Sequence, residues 1–304
     1  MSDLTKIEWC DATLNLWWGC TKVSDGCKFC YAERMSDQRY KRGAWGPKGT
    51  RTEVKSWRAT LEKVSRRAKA ENRRLRVFCQ SMSDTFEGPE TMGGMESENW
   101  RTVTRLREEL GYEIQRHPHI DFLLLTKRPE NVLAWVKYTM FLGNRRSLPD
   151  NLWLGTSVER VSELRRIDDL RNCPAAIRFL SLEPLLGDLG TVNLDGIHWV
   201  IVGGESGPNA RPMRLSWARS LRDQCMAANV PFFFKQWGEW LPAFHFAKYD
   251  EEYRRWADNE GRGMCVTEAP GFTQIREDMF RVGKHRAGRL LDGRTWDEFP
   301  GAMR

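Results

Sequence analysis

The 304-residue sequence predicts an α/β fold: a partial or full (β/α) barrel with a small C-terminal extension. Three observations lead to this prediction. Short apolar runs recur along the chain, amphipathic helical patterns lie between several of them, and polar side chains follow the carboxyl end of nearly every run. Buried parallel strands are typically short and continuously apolar, and strands that alternate with helices indicate βαβ units.

Seven apolar runs are predicted as strands, because each is bounded by polar residues, glycine or proline. They are "ATLNLWWG" (12–19), "LRVFCQS" (75–81), "DFLLLTK" (121–127), "LWLGTS" (152–157), "IRFLSLE" (177–183), "HWVIVGGE" (198–205) and "VPFFFKQ" (230–236). Four apolar stripes at helical spacing lie between them: Val103, Leu106, Leu110 and Ile114; Val132, Leu133, Val136 and Met140; Val161, Leu164, Ile167 and Leu170; and Trp217, Leu221 and Cys225. The link between 183 and 198 is too short for a full helix.

We expect residues 1–239 to form the barrel and residues 240–304 to form a β-rich cap or hairpin packed on it. Spacing alone also allows a doubly wound sheet. The barrel is favoured because polar residues at the carboxyl ends of its strands would line one shared mouth. Those residues are Ser81 with Asp84, Thr126 with Lys127 and Arg128, Ser157 with Glu159, Glu183, Glu205 with Ser206, and Lys235 with Gln236. Taken singly, Asp84, Ser157 and Ser206 suit helix caps better.

The composition indicates a cytoplasmic protein with no membrane partner. No apolar run approaches the roughly 18 residues that span a bilayer. The N-terminus has no basic region followed by an apolar stretch, so no secretory signal is visible. The net charge is +7, and residues 41–76 hold thirteen Lys or Arg against three Glu. Such a segment suits contact with a nucleic-acid backbone, but a solvated helix face, opposite Trp57, Leu61, Val64 and Ala68, explains it equally well.

Three of the eight cysteines are clustered, in "LWWGCTKVSDGCKFCYAER" (16–34), with the spacing C-x6-C-x2-C at Cys20, Cys27 and Cys30. The other five are scattered and are expected to be reduced and buried: Cys10, Cys79, Cys173, Cys225 and Cys265.

Four sites could use the clustered thiols. Structural zinc needs a fourth ligand, for which Cys10 is a distant candidate. A disulfide between two of the three cysteines would leave the third thiol unpaired. A redox pair of Cys27 and Cys30 would leave Cys20 without a role. A [4Fe-4S] cluster with three thiolate ligands and one open iron accounts for the odd number.

The cysteine segment resembles that of radical S-adenosylmethionine (SAM) enzymes, which carry a three-cysteine loop after the first strand of a partial TIM barrel. "CKFC" matches the second half of their C-x3-C-x-aromatic-C motif, with Phe29 as the aromatic and Tyr31 next to it; the first gap is longer, as in some members. The whole chain is similar to phage- and prophage-encoded three-Cys-motif proteins, a radical-SAM-like family related to spore photoproduct lyase. Further segments carry that similarity: "LLLTKRPENV", "LGTSVE", "RFLSLEPLLG", "VGGESGPNARPMR", "FFKQWGEW" and "AGRLLDGRTWDEFP".

The resemblance implies that Cys20, Cys27 and Cys30 bind three irons of a [4Fe-4S] cluster and that SAM binds the fourth. Reductive cleavage of SAM would then yield a 5′-deoxyadenosyl radical that modifies or repairs a nucleic-acid base. Lys127 with Arg128 offers positive charge to the SAM carboxylate. The predicted cofactor-binding residues are Phe29, Tyr31, Ser81, Ser83, Asp84, Thr126, Lys127, Ser157 and Glu159. The predicted substrate-binding residues are Glu183, Glu205, Arg211, Lys235, Gln236 and Trp237.

The expected partners are a nucleic acid or nucleotide, an external electron donor and a three-Cys-motif partner protein. Trp17, Trp18, Trp237 and Trp240 are candidates for stacking on adenine or a substrate base, although a buried core position is the more common environment of a tryptophan. The glycines of "GGE" (203–205) are expected to let the backbone approach a ligand. Two alternatives stay open: a zinc- or cluster-stabilised nucleic-acid-binding protein without catalysis, and radical chemistry on a protein or small molecule.

Overall fold

The computed structural model describes residues 5, 7–139, 148–242, 263–266 and 277–301 of a mixed α/β chain. The strands are β1 (Ala12–Thr13), β2 (Trp17–Trp18), β3 (Thr52–Glu53), β4 (Leu75–Cys79), β5 (Ile120–Thr126), β6 (Leu152–Ser157), β7 (Ile177–Leu182), β8 (Trp199–Gly203), β9 (Phe232–Gln236), β10 (Trp240–Pro242), β11 (Gly263–Val266) and β12 (Glu277–Arg281). The helices are α1 (Tyr31–Glu33), α2 (Trp57–Ala70), α3 (Glu98–Arg116), α4 (Val132–Thr139), α5 (Arg165–Arg171), α6 (Leu215–Ala227) and α7 (Lys284–Ala287).

The largest sheet has seven strands in the order β1-β4-β5-β6-β7-β8-β9. Its strands follow chain order, and the pairs β1–β4, β4–β5, β5–β6, β6–β7 and β8–β9 are parallel. The sheet is compatible with a partial (β/α) barrel, which confirms that part of the predicted fold class. Six of the seven apolar runs form strands within one or two residues of their predicted bounds.

The first apolar run differs from its prediction, because residues 12–19 form two short strands instead of one. β1 pairs with β4, whereas β2 pairs with β3 in a separate antiparallel sheet. The backbone amides of Leu16 and Trp17 donate to Gln80 Oε1, over 2.7 and 3.2 Å. A side chain therefore takes the place of the ladder that would have continued β1 alongside β4.

The chain forms two compact units. The first comprises residues 1–158, 165–181 and 196–198 and contains β1 to β7 except for the last residue of β7, Leu182. The predicted stripes form the buried faces of α2 and α3, and at the start of α3 Ser97 Oγ accepts a hydrogen bond from Trp100 N.

Val161 differs from its prediction, because it lies in a 3-10 turn ahead of α5 and is exposed.

The second unit comprises residues 159–164, 182–195 and 199–304. It contains the parallel pair β8–β9, helix α6 and an antiparallel sheet of order β10-β12-β11. The C-terminal residues pack on β8 and β9: Trp199 Nε1 donates to Glu298 O over 2.8 Å, and the rings of Phe232 and Trp296 are 5.8 Å apart. The described part of residues 240–304 contains β10, β11 and β12, and the cap and its boundary at 239/240 stay predictions. Met140 and much of that extension lie outside the described residues.

No helix in the described part of the chain is long and apolar enough to span a membrane. The prediction that the scattered cysteines are reduced and buried is confirmed for the four whose side chains are described, which are Cys10, Cys79, Cys173 and Cys225. Cys265 has no described side chain.

Candidate functional site

The clustered cysteines lie on a loop that begins beyond the carboxyl ends of β1 and β4. We call residues 19–30 the cysteine loop. Gly19 forms a parallel bridge to Ser83 and donates to Met82 O over 3.1 Å. A side chain is excluded at Gly19, because its φ is +120° and a Cβ would lie 2.6 Å from Ala44 O. The loop is therefore held against the strand ends at its first residue.

All three thiols of the cysteine loop are unpaired and half-buried. Cys27 ends a 3-10 turn, and Cys30 immediately precedes α1. Burial, with the negative charges of Glu87 and Asp84, raises the pKa of Cys20 well above its usual value. Burial also raises the pKa of Cys30, although nearby backbone amides and the charge of Lys127 oppose that shift. A thiolate at Cys20 consequently needs a compensating cation.

The donor types of this loop fit a thiolate-ligated cluster. Cysteine thiolates are the usual ligands of iron–sulfur centres, and these three cysteines have no disulfide partners. Cys27 lies close enough to the other two for its charge to raise both of their pKa values. Within the described ranges, however, no three His, Cys, Asp or Glu side chains are grouped so that they could hold a metal ion. The residue types suit the cluster, and binding it would require the Sγ atoms of Cys20, Cys27 and Cys30 to move closer to one another.

Two of the predicted cofactor-binding residues, Asp84 and Thr126, meet at the carboxyl ends of β4 and β5. Asp84 accepts hydrogen bonds from Thr126 Oγ1 at 2.7 Å, from Lys127 N at 3.0 Å and from Phe86 N at 2.9 Å. Burial alone would raise the pKa of Asp84, but Arg128 and these donors outweigh it and hold the pKa below its usual value. Asp84 is thus an ionised, fully hydrogen-bonded carboxylate whose partners belong to the protein.

Arg128 connects this carboxylate to the cysteine loop. Its Nη1 donates to Asp84 Oδ2 over 3.0 Å and lies 3.9 Å from Cys20 Sγ, and its Nη2 donates to Thr21 O over 2.6 Å. The guanidinium is buried, and the surrounding negative groups raise its pKa despite that burial. Sequence reasoning offered Arg128 as a charge for a ligand carboxylate, whereas the structure places it as an internal connection to the loop. Lys127 is half-exposed beside it.

Arg51 and Glu87 form a second buried ion pair, which sequence reasoning missed. Their side chains are both 0% exposed, and the guanidinium contacts both carboxylate oxygens, at 2.6 and 2.9 Å. Arg51 Nη1 also donates to the carbonyl oxygens of Ala44, Gly46 and Gly49. The Arg51 side chain therefore stabilises the turn at residues 44–49 through three hydrogen bonds.

Arg107 of α3 completes the buried network. It donates from Nε to Thr85 O over 2.6 Å and from Nη2 to Glu87 O over 2.5 Å, and burial lowers its pKa to about 10. The sequence contains a signal for this residue, because Arg107 falls at helical spacing between Val103 and Leu110. A cation on the apolar face of a helix needs a buried partner.

The remaining predicted cofactor residues of the first unit lie near the same strand ends. Exposed Tyr31 donates from Oη to Ser81 O over 2.8 Å, and Ser81 exchanges hydrogen bonds with Asn15. Ser83 Oγ is buried and has no hydrogen-bond partner among the described residues. Phe29 lies beside Lys28, and Ser157, at the end of β6, contacts Arg166 through its carbonyl oxygen.

The second unit holds the predicted substrate-binding residues, and Glu159 of the cofactor set. Lys235 pairs with Glu183 at 2.9 Å, and Arg211 binds both carboxylate oxygens of Glu205. Gln236 donates to Gly204 O over 2.8 Å. Glu159 is buried. The structure thus brings most of the predicted substrate set together as charge pairs at the carboxyl ends of β7, β8 and β9.

The close approach that Gly204 allows is to the protein itself. A Cβ at Gly204 would lie 2.0 Å from Trp237 O, so two stretches of backbone pass each other there. Of the candidate stacking tryptophans, Trp17 and Trp237 are fully buried in the core, and Trp240 is buried with its Nε1 donating to Ala210 O. Trp18 alone of the four is half-exposed.

The basic segment has two parts: residues 41–56, which precede α2, and residues 57–76, which comprise α2 and the residues that follow it. In α2 and the residues that follow it, many arginines pair with carboxylates of the first unit. The pairs are Arg58 with Glu109, Arg67 with Glu71, Arg73 with Asp11 and Glu71, Arg74 with Asp121, and Arg76 with Asp11. Five of the six arginines in residues 57–76 are therefore paired with carboxylates.

Comparison with known proteins identifies a family for the chain. A family model described as "Protein of unknown function (DUF5131)" matches residues 4–300. No curated protein and no solved structure matches the chain. Because the family model covers nearly the whole sequence, the chain belongs to the DUF5131 family.

Proposed function

We propose that this protein is a radical SAM enzyme that binds a [4Fe-4S] cluster through Cys20, Cys27 and Cys30 and acts on a nucleic-acid base. One observation carries the proposal: three unpaired thiols share a short loop at the carboxyl ends of parallel strands. That end of a (β/α) sheet is where such folds build active sites. The odd number of thiols suits a cluster with one open iron.

The surrounding residues support this assignment through what they do to the loop. Arg128 brings positive charge next to Cys20, where Asp84 and Glu87 otherwise disfavour a thiolate. Hydrogen bonds and charges near cluster sulfurs set how readily a cluster is reduced. The cluster, when bound with SAM, would supply a 5′-deoxyadenosyl radical that abstracts hydrogen from the substrate. The protein's part is to hold the ligands and exclude water.

Three side chains near the loop are suited to contact SAM. Lys127 is half-exposed and offers an ammonium for a carboxylate. Tyr31 has an exposed ring, which suits packing against the ligand. The Ser83 hydroxyl is a buried polar group without a described partner, and such groups cost free energy unless a ligand or water satisfies them.

Anaerobic reconstitution tests the proposal. The full-length protein is incubated with iron, sulfide and dithiothreitol, desalted, and assayed for bound iron, sulfide and a dithionite-bleached charge-transfer band. We expect about four irons per chain and formation of 5′-deoxyadenosine from SAM. Cys27→Ala should lose most of the iron and all of the 5′-deoxyadenosine, because one ligand is missing.

Cys225→Ala is the matched control, because Cys225 is an equally unpaired cysteine buried in α6 of the second unit. It should keep the iron content and the 5′-deoxyadenosine yield of the wild type. Stoichiometric zinc with no reducible cluster would refute the enzyme and support a zinc-stabilised binding protein. A cluster that forms without yielding 5′-deoxyadenosine would refute the SAM chemistry alone.

A further inference from the structure

An exposed aromatic–cation group lies beside the cysteine loop. We call Trp18, Tyr40 and Arg42 the aromatic platform. The Arg42 guanidinium lies 4.4 Å from the centroid of the Trp18 ring, and the Trp18 and Tyr40 rings meet edge to face with centroids 5.8 Å apart. Tyr40 is 51% exposed, and the guanidinium groups of Arg39 and Arg42 lie 5.6 and 5.9 Å from its ring centroid. An exposed tyrosine held by such contacts offers a flat surface at low entropic cost.

The segment that carries Tyr40 and Arg42 is rich in positive charge. Residues 38–52 contain no Asp or Glu, while Arg39, Lys41, Arg42 and Lys48 are exposed. In the part of the chain that the structure describes, none of these four forms an ion pair. The arginines of α2 and its C-terminal flank differ, because many of them pair with carboxylates. The platform is therefore surrounded by cations without a carboxylate partner among the described residues, whereas most arginines of α2 and its C-terminal flank have one.

The loop that carries the platform is rigidly held. Arg51 donates to three carbonyl oxygens of residues 44–49. The Asp37 carboxylate accepts from the amides of Ala44 and Trp45, over 2.9 and 3.1 Å. Trp18 is fixed opposite Thr52 by the pairing of β2 with β3. A platform ordered before the ligand arrives loses little entropy on binding.

The platform is also tied to the cysteine loop. Trp18 lies two residues before Cys20, and Gly46 N donates to Cys20 O over 2.9 Å. The Arg51 guanidinium donates to Thr21 Oγ1 over 2.8 Å as well as to the loop carbonyls. A ligand on the platform would therefore lie next to the proposed cluster site.

We infer that the aromatic platform binds single-stranded nucleic acid, with an unpaired base stacked on Tyr40 and the neighbouring phosphates contacting Arg39, Lys41 and Lys48. Aromatic rings among unpaired cations are the combination that binds single strands, because any base has a flat face and every nucleotide has a phosphate. Within a duplex both faces of a base are already stacked, so a protruding ring gains nothing there. This inference deepens the proposed function by naming the form of its substrate and the surface that receives it.

Fluorescence anisotropy with the full-length protein, as purified, tests the inference. The probes are fluorescein-labelled dT12, its RNA counterpart U12 and a 12-base-pair duplex, each measured between 50 and 200 mM salt. We expect the single strands to bind about tenfold more tightly than the duplex. Tyr40→Ala should weaken single-strand binding about tenfold, and Tyr40→Phe should not, because it retains the ring. Arg39→Gln with Lys41→Gln should flatten the salt dependence.

Arg66→Gln with Lys69→Gln is the matched control, because it removes the same charge from exposed positions of α2. Its single-strand affinity should stay within twofold of the wild type. Thermal melts of every variant verify the fold. Equal affinity of Tyr40→Ala and wild type, equal loss in the α2 control, equal binding of duplex, or no binding of either single strand would each overturn the inference.

The experiment contains no SAM and no reductant, so its outcome is separate from that of the proposed function. If the protein cleaves SAM but binds neither single strand, only the inference about the aromatic platform is contradicted. A protein that binds single strands through Tyr40 but forms no cluster contradicts only the radical chemistry.

Discussion

The two ends of the parallel strands in the first unit carry the same kinds of charged residues but bury them to different degrees. At the carboxyl ends, Arg51 and Glu87 are both 0% exposed. At the amino ends, Asp121 is buried but its partner Arg74 is 44% exposed. The pKa values differ accordingly: that of Asp84, at the carboxyl end, is lowered, and that of Asp121 is raised.

The difference shows that an arginine keeps a buried carboxylate ionised when the arginine is itself buried beside that carboxylate. Arg128 is buried with Asp84, so their attraction is weakly screened and is reinforced by three further donors. Arg74 is partly exposed, so water screens its attraction to the Asp121 carboxylate. Buried ion pairs thus connect the carboxyl ends to the cysteine loop, whereas the pair at the amino ends is open to solvent on its arginine side.

The largest expected effect is at the Arg51–Glu87 pair. Glu87→Gln leaves the buried guanidinium without its countercharge, so we expect the free energy of unfolding to fall by about 3–5 kcal/mol. Urea unfolding followed by tryptophan fluorescence measures it. Glu71→Gln, which removes a carboxylate from exposed ion pairs, should cost much less than Glu87→Gln. Similar losses in the two variants would show that the buried pair is no stronger than surface pairs.

A second expectation concerns pH and Asp121. Burial raises the pKa of Asp121 to about 6, above the value of about 3.9 in an unfolded chain. Between these values the folded protein holds a proton that the unfolded chain has released. Its contribution to stability is therefore present at low pH and is lost as pH rises from about 4 to about 6, by about 2 kcal/mol.

Asp121→Asn should remove this pH dependence, because an amide mimics the protonated carboxyl group and does not titrate. Urea unfolding at pH 5 and pH 7 measures the difference. Asp11→Asn is the control at the same end of the strands, since the pKa of Asp11 is lowered and its titration falls below this window. An unchanged pH profile in Asp121→Asn would mean that Asp121 is ionised throughout, like Asp84.

The smallest effect is expected from Arg128→Lys, which keeps the charge but loses the forked contact with Asp84, Thr21 and Cys20. In reconstituted protein, we expect a chelator to remove iron about fivefold faster than from wild type, because the Cys20 end of the loop is held less firmly. Arg107→Lys alters the same buried network without a contact to the cysteine loop and should release iron at the wild-type rate. Equal acceleration in both would point to general loosening of the fold.

The local features of the fold were predictable from the sequence, because the burial of a strand or helix face leaves a repeating apolar pattern. The strand runs and the stripes of α2 and α3 follow from such patterns. The division of residues 12–19 was not predictable, since it depends on Gln80, more than sixty residues away.

The candidate site was predictable only in its residue types. The cysteine spacing and the strand-end residues Asp84 and Thr126 were identified without knowledge of the fold. Arg51 and Glu87 were not, because they are 36 residues apart and neither stands out in its segment. Arg107 could have been found as a charge on an apolar helix face.

The sequence by itself determined which segments are buried and where three thiols lie on one short loop, because both are properties of neighbouring residues. The tertiary structure alone decided which charges are neutralised. Arg128 reaches Cys20 across 108 residues, and the arginines after α2 find carboxylates on distant segments while those around Tyr40 do not. Net charge can be counted from composition, but pairing depends on which groups the fold brings within a few ångströms of each other.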